Sequence, residues 1–159
     1  MADVPIHYVD LRTFAYATED EQRVEEAVRY VLPEDHEIER EESTGYHGDR
    51  IVVLSTRLER ADEVRHVFDR IAETVDLAGL RDELDDRVTE HTELFFRLDK
   101  QAAFNGRAEL GEGITFRAKI EAYPATREAA LENAAEVLAR YAGAVDEDED
   151  EDGDRDGDE

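Results

Sequence analysis

Between Arg97 and Lys119 the chain carries Arg97, Lys100, Arg107, Arg117 and Lys119 against Asp99, Glu109 and Glu112, a local charge of +2 in a protein whose total is -25. Both of its lysines lie in this stretch. Guanidinium and ammonium groups suit phosphate oxygens. Phe95 and Phe104 add rings on which unstacked bases can lie, and Gln101 and Asn105 add amides able to read base edges or 2′-hydroxyls. These nine residues, Phe95, Arg97, Lys100, Gln101, Phe104, Asn105, Arg107, Arg117 and Lys119, are the candidate nucleic-acid contacts.

Other chemistry is poorly supplied. There is no Cys, hence no thiol nucleophile, disulfide or Cys-ligated metal. His7, His36, His47, His66 and His91 are dispersed without HxH, HxxxH or HExxH spacing, so no metal face is expected. Carboxylate pairs carry no signal among 44 acids. Gly111-Glu112-Gly113 lacks the second half of a dinucleotide fingerprint and reads as a turn or bulge. Neither a nucleophile elbow nor a phosphate-binding glycine loop is present. The expectation is a protein without catalysis, cofactor or metal.

Residues 6–16 are rich in strand formers and set Val9, Leu11, Thr13 and Ala15 on one face. A helix follows, with Thr18-Glu19-Asp20-Glu21 as a capping box and Val24, Ala27, Val28, Val31 and Leu32 at helical spacing up to Pro33. Residues 36–44 and 51–58 read as a hairpin around Gly45-Tyr46-His47-Gly48-Asp49. Val64, Val67, Phe68, Ile71 and Val75 predict a helix, and Leu77, Leu80, Leu84 and Val88 a second. Residues 93–99 form a strand. Asn105-Gly106 is a hairpin signal that predicts a short return strand over 107–110, and residues 114–123 a further strand ended by Pro124. Ala130, Leu131, Ala134, Val137, Leu138 and Tyr141 close the chain as a helix. The predicted order is β-α-β-β-α-α-β-β-β-α, an α+β fold whose antiparallel or mixed sheet has helices packed on one face. On the other face Phe95, Arg97 and Asp99 would stand beside Thr115, Arg117 and Lys119.

Charge is the second theme. The 44 acids outnumber 19 bases, and of those bases all but two are Arg. Acid excess, scarce Lys and 20 Ala resemble the composition of an extreme halophile's proteins. Carboxylates hold hydration in concentrated salt, where screening at a Debye length of about 3 Å near 1 M removes most of their repulsion. Net charge then speaks of habitat before partners. The run DEDEDEDGDRDGDE at 146–159 has no apolar residue and reads as a disordered, solubilising acidic tail beyond a single domain at 1–145. Residues 1–145 retain 33 acids and 18 bases, net -15, so the domain is expected to need salt. The absence of a long apolar run or a signal-like start predicts a cytoplasmic protein with no membrane partner.

The run Arg97-Leu98-Asp99-Lys100-Gln101-Ala102-Ala103-Phe104-Asn105-Gly106, with the Ala17-Thr18-Glu19-Asp20 entry to the first helix, resembles the signature of a small archaeal family of RNA-binding proteins described as predicted exosome-associated subunits. That family's fold is similar to that of a large-subunit ribosomal protein contacting small ribosomal RNA. The resemblance covers most of residues 5–142. It implies a ribosomal-protein-like fold and a non-enzymatic RNA-binding role in RNA processing or ribosome biogenesis, with exosome or ribosomal proteins as partners. The alternative reading is a protein-interaction module that docks onto an RNA-processing assembly through the same surface.

Overall fold

Alternation in IHYVDLRTFAY builds β1 (Ile6–Tyr16), which buries Val9, Leu11, Thr13 and Ala15 and turns Tyr8, Asp10, Arg12, Phe14 and Tyr16 the other way. The structure is a computed structural model that describes residues 5–157, with side chains described over 5–142. After β1 come α1 (Glu21–Val31), β2 (Glu39–Thr44), β3 (Arg50–Leu58), α2 (Ala61–Ala72), α3 (Leu77–Asp82) and α4 (Leu84–Arg87). β4 (Glu93–Asp99), α5 (Lys100–Phe104), β5 (Gly113–Ile120) and α6 (Arg127–Gly157) complete the order. The tail assigned at 146–159, and with it the domain division, lies outside the residues whose side chains are described.

The five strands form one antiparallel sheet in the order β2-β3-β1-β5-β4. All helical core residues meet one face. Val64, Val67, Phe68 and Ile71 of α2 pack with Val9 and Leu11 of β1, Phe96 of β4 and Phe116 of β5. Phe116 stacks on Phe96 at 4.3 Å and meets Phe68 edge-on at 5.6 Å, and Phe68 in turn stacks on Tyr141 of α6 at 5.3 Å. Truncating any one of these buried phenylalanines to Ala costs about 3–5 kcal/mol. A smaller cluster, Ala15, Val24, Val52 and Leu54, seats α1 on the β1–β3 end. Among the described residues, no helix is long and apolar enough to cross a membrane.

The structure differs from the sequence reading in three places. Asp20, not Thr18, caps α1, accepting a 3.0 Å bond from the Gln22 N–H. The second helix expected after α2 is two short ones, because Glu83 leaves helical geometry between α3 and α4. Most importantly, Asn105-Gly106 is not a two-residue hairpin. Asp99 caps a one-and-a-half-turn helix, accepting from the Ala102 N–H at 2.8 Å, and Asn105 is that helix's C-cap, with Gly106 following at φ 83°. The N-cap propensity of Asp and the helix-forming Lys-Gln-Ala-Ala run prevail over the turn dipeptide. The expected return strand reduces to a single bridge between Leu98 and Leu110. On the opposite flank β2 is exposed along its whole length.

Candidate nucleic-acid interface

The face of the sheet away from the helices is open, and the strand registers set its side chains in rows. One row runs Glu39, Ser55, Arg12, Thr115, Arg97 from β2 to β4. The next, on one side, runs Arg57, Asp10, Arg117, Phe95. On the other side Glu41, Val53 and Phe14 align, then Ile51 and Tyr16. Because strands lie about 4.8 Å apart, Arg12 stands roughly 10 Å from Arg97 across β5 and a similar distance from Glu39 across β3.

In so acidic a chain most cations find carboxylates. Arg40 bonds Glu21 at 2.6 and 2.9 Å and Glu42 at 2.9 Å, and Arg50 reaches Glu42 at 2.8 Å. On the open face Arg57 grips Asp10 with two bonds of 2.7 and 2.9 Å, its guanidinium 3.9 Å above the Tyr8 ring. That bond holds the Arg57 guanidinium charged well beyond its ordinary range, although burial opposes it. Asp10 is thereby satisfied and leaves its other neighbour, Arg117, unpaired. Among the described residues, the guanidinium groups of Arg12, Arg81, Arg97 and Arg117 form neither an ion pair nor a hydrogen bond. All but Arg81 stand together on the open face, exposed. Arg12 lies 5.2 Å from the centre of the Phe14 ring, and Phe14 stacks on Tyr16 at 6.2 Å.

The nine candidates from sequence separate into two groups. Phe95, Arg97, Arg117 and Lys119 share the open face, with the Lys119 ammonium donating to the His91 carbonyl. Lys100, Gln101, Phe104, Asn105 and Arg107 belong to α5 and its exit, which pack on α1 at the helical side. Gln101 and Asn105 are exposed; Arg107 pairs with Glu109 at 3.1 Å, and Arg23 of α1 covers the Phe104 ring at 5.3 Å. Between α1 and α5 a cleft of about 550 Å³ is lined by Thr18, Asp20, Arg23, Gln101, Phe104 and Glu112 among others. Arg12 and Phe14 escaped the sequence reading. Their outward phase in β1 was visible, but nothing in the sequence says that β5 would be their neighbour.

Lys100 has an internal post. Its ammonium donates to the Phe14 carbonyl at 2.8 Å and to Glu19 at 2.9 and 3.0 Å, and lies 5.4 Å from the Tyr16 ring. Glu19 also accepts the Tyr16 N–H at 3.1 Å. Burial would raise the Glu19 carboxyl, yet the bonds from Lys100 and from the Tyr16 N–H together hold it below the ordinary carboxylate range. The pair ties the end of β1, where Phe14 and Tyr16 sit, to the start of α5. Gly113 permits it: a Cβ there would stand 2.6 Å from the Lys100 Cβ, and its φ is 127°. Gly111 likewise passes against Asp99, a Cβ there falling 2.7 Å from that of Asp99. The Gly-Glu-Gly run is thus the seat of the β4–α5 corner.

The model of the family described as RNA binding matches residues 8–120, from the third residue of β1 to the last residue of β5. The chain belongs to this RNA-binding family. It is 31% identical over 143 residues to an RNA-binding protein of Pyrococcus abyssi, a match spanning 83% of this chain and 93% of that one. The solved structure of a DUF54 protein from Methanothermobacter thermautotrophicus is 43% identical, superposes with a TM-score of 0.73, and is covered over 98% of its length by 84% of this chain. A DUF54 protein from Sulfolobus solfataricus, 18% identical with a TM-score of 0.62 over 88% of this chain and 98% of that one, shares the fold. The family match spans both the open face and the RLDKQAA corner that positions its edge.

Proposed function

We propose that this protein is a non-catalytic RNA-binding protein that holds phosphates on the open sheet face through Arg12, Arg97 and Arg117, with Phe95 beside them. The observation that carries this reading is the state of the cations. In a domain where carboxylates are everywhere, three adjacent arginines without a carboxylate are available to an anion, and Asp10 between them is already neutralised by Arg57. A planar guanidinium gives bidentate contacts to phosphate, which survive salt better than diffuse attraction. Lys100 acts here as a positioning residue, and Gln101, Asn105 and Arg107 stand at the periphery of the site.

The wider setting follows the family resemblance: an archaeal, salt-adapted, cytoplasmic protein associated with RNA processing by an exosome, or with ribosome biogenesis. Residues 1–145 are the RNA-binding domain and 146–159 an acidic tail that keeps it soluble. The test is RNA binding by filter retention in 1–2 M KCl. Arg97→Ala, Arg117→Ala and Arg12→Ala should each weaken binding severalfold, whereas Arg81→Ala, an equally unpartnered arginine on α3, should change it little. Equal losses at all four positions would reduce the effect to bulk charge, and no loss at the three face positions would move the site off the sheet.

A further inference from the structure

The open face is divided along its length. Arg12, Arg97 and Arg117 occupy β1, β4 and β5, while the β1–β3 quarter next to Arg12 is apolar: Phe14 faces Val53, and Tyr16 faces Ile51. Phe14, Val53 and Ile51 are half-buried with one side open, and Tyr16 is 50% exposed. No helix covers these four, and none belongs to a core cluster. Beyond them lies β2, which turns Glu39, Glu41 and Ser43 to this face, Glu41 opposite Val53 and Ser43 opposite Ile51. Crossing the sheet from β4 along the Arg12 row, one meets Arg97, Thr115, Arg12, Ser55 and then Glu39; one row further along β1, Phe14 and Val53 lead to Glu41.

Resting on the reading above, we infer that the site takes unpaired RNA, a single strand or loop, with its backbone along the arginines and its bases turned onto the Phe14–Tyr16–Val53–Ile51 strip. Arg12 joins the two parts, since its guanidinium lies 5.2 Å from the Phe14 ring centre and can reach the phosphate of the nucleotide whose base rests there. The aromatic pair supplies sequence-tolerant stacking, a contact that salt does not screen. Tyr8 is withdrawn from this role by Arg57 above its ring. A duplex fits neither half. Its bases are stacked on one another and offer no ring face to the strip. Its second phosphate strand would lie toward Glu39 and Glu41, roughly 10 Å from Arg12. The acidic edge is thus a discriminator against paired RNA, and Lys100 and Glu19 hold the strip by anchoring the Phe14 carbonyl and the Tyr16 N–H.

The test uses the full chain in 1.5 M KCl and two probes, a fluorescent unstructured RNA 12-mer and the same strand annealed to its complement, read by anisotropy. The single strand should bind at least tenfold more tightly. Tyr16→Leu and Phe14→Leu should each cost the single strand about fivefold or more, Tyr16→Phe should retain its affinity, and the double variant Glu39→Gln/Glu41→Gln should raise duplex affinity selectively. Circular dichroism checks that each variant is folded. Equal affinity for the two probes, or single-strand binding indifferent to Tyr16→Leu, overturns the inference. If that occurs while Arg97→Ala and Arg117→Ala still weaken binding severalfold, the phosphate site stands and only the strand preference fails; if those variants also bind normally, both fail.

Discussion

Lys100→Met removes an ammonium while keeping the length and apolar stem of the side chain, so it isolates the anchor at the end of β1. Lys100 is 18% and Glu19 31% exposed, and the ammonium serves two acceptors, the Phe14 carbonyl and the Glu19 carboxylate. A hydrogen bond to a charged group is worth about 1.5–3 kcal/mol, and a buried acceptor left without a donor costs a comparable amount. Water reaching Glu19 and the recovered desolvation of Lys100 offset part of this, leaving a net loss of roughly 2–3 kcal/mol. For a chain of this size that lowers the melting temperature by about 4–12 °C. The sign with pH is fixed by Glu19. Its folded carboxyl lies below the ordinary value, so its contribution is present above that value, near pH 4.3, and fades as pH falls through the folded one. The gap between wild type and Lys100→Met in thermal and urea unfolding at 2 M KCl should be full at pH 7 and shrink below about pH 4. Stability within 0.5 kcal/mol of wild type at pH 7, or a gap that does not change on acidification, would refute the anchor.

Two further outcomes concern the fold. Gly113→Ala should destabilise by about 2–4 kcal/mol, because the new methyl meets the Lys100 Cβ and the φ of 127° strains any L side chain, and chemical denaturation measures it directly. The net charge of -15 over residues 1–145 should make the fold salt-dependent, with cooperative unfolding by circular dichroism at 2 M NaCl and a much lower midpoint at 50 mM; equal midpoints would remove the salt-adapted reading.

What could be read in advance was what depends on periodicity. β1, α1 and the Val64–Ile71 stripe of α2 declare themselves because a two-residue or 3.6-residue repeat decides which side chains are buried, and burial dominates the energetics. The Arg97–Arg117 adjacency followed from the same phase argument on β4 and β5. Asn105-Gly106 misled because a local turn signal competes with helix capping, and only the surroundings of Asp99, with Ala102 and Ala103 buried against α1, decide between them. Lys100 stood out as one of two lysines, yet composition cannot say whether a rare cation faces solvent or a backbone carbonyl. Arg12 was hidden for another reason: its meaning comes from being in register with Arg97 through Thr115, and register across strands far apart in sequence is set by the packed sheet, not by any segment.

An open sheet has two borders, and each could recruit a neighbouring molecule into an endless ribbon. Here they are guarded differently. β4 is partly shielded by chain, since Val88 and Leu110 bridge its ends and the Glu109 carbonyl and Gly111 N–H bond the backbone of Asp99 and Arg97. β2 is guarded by composition: Glu39, Arg40, Glu41 and Glu42 would have to be stripped of water to pair with another strand. That barrier is a hydration cost rather than a repulsion at a distance, so it persists when molar salt has erased the long-range part of the field. The glutamates inferred to discriminate against a second RNA backbone would thereby also oppose edge-to-edge association at molar salt, where charge alone would no longer hold molecules apart.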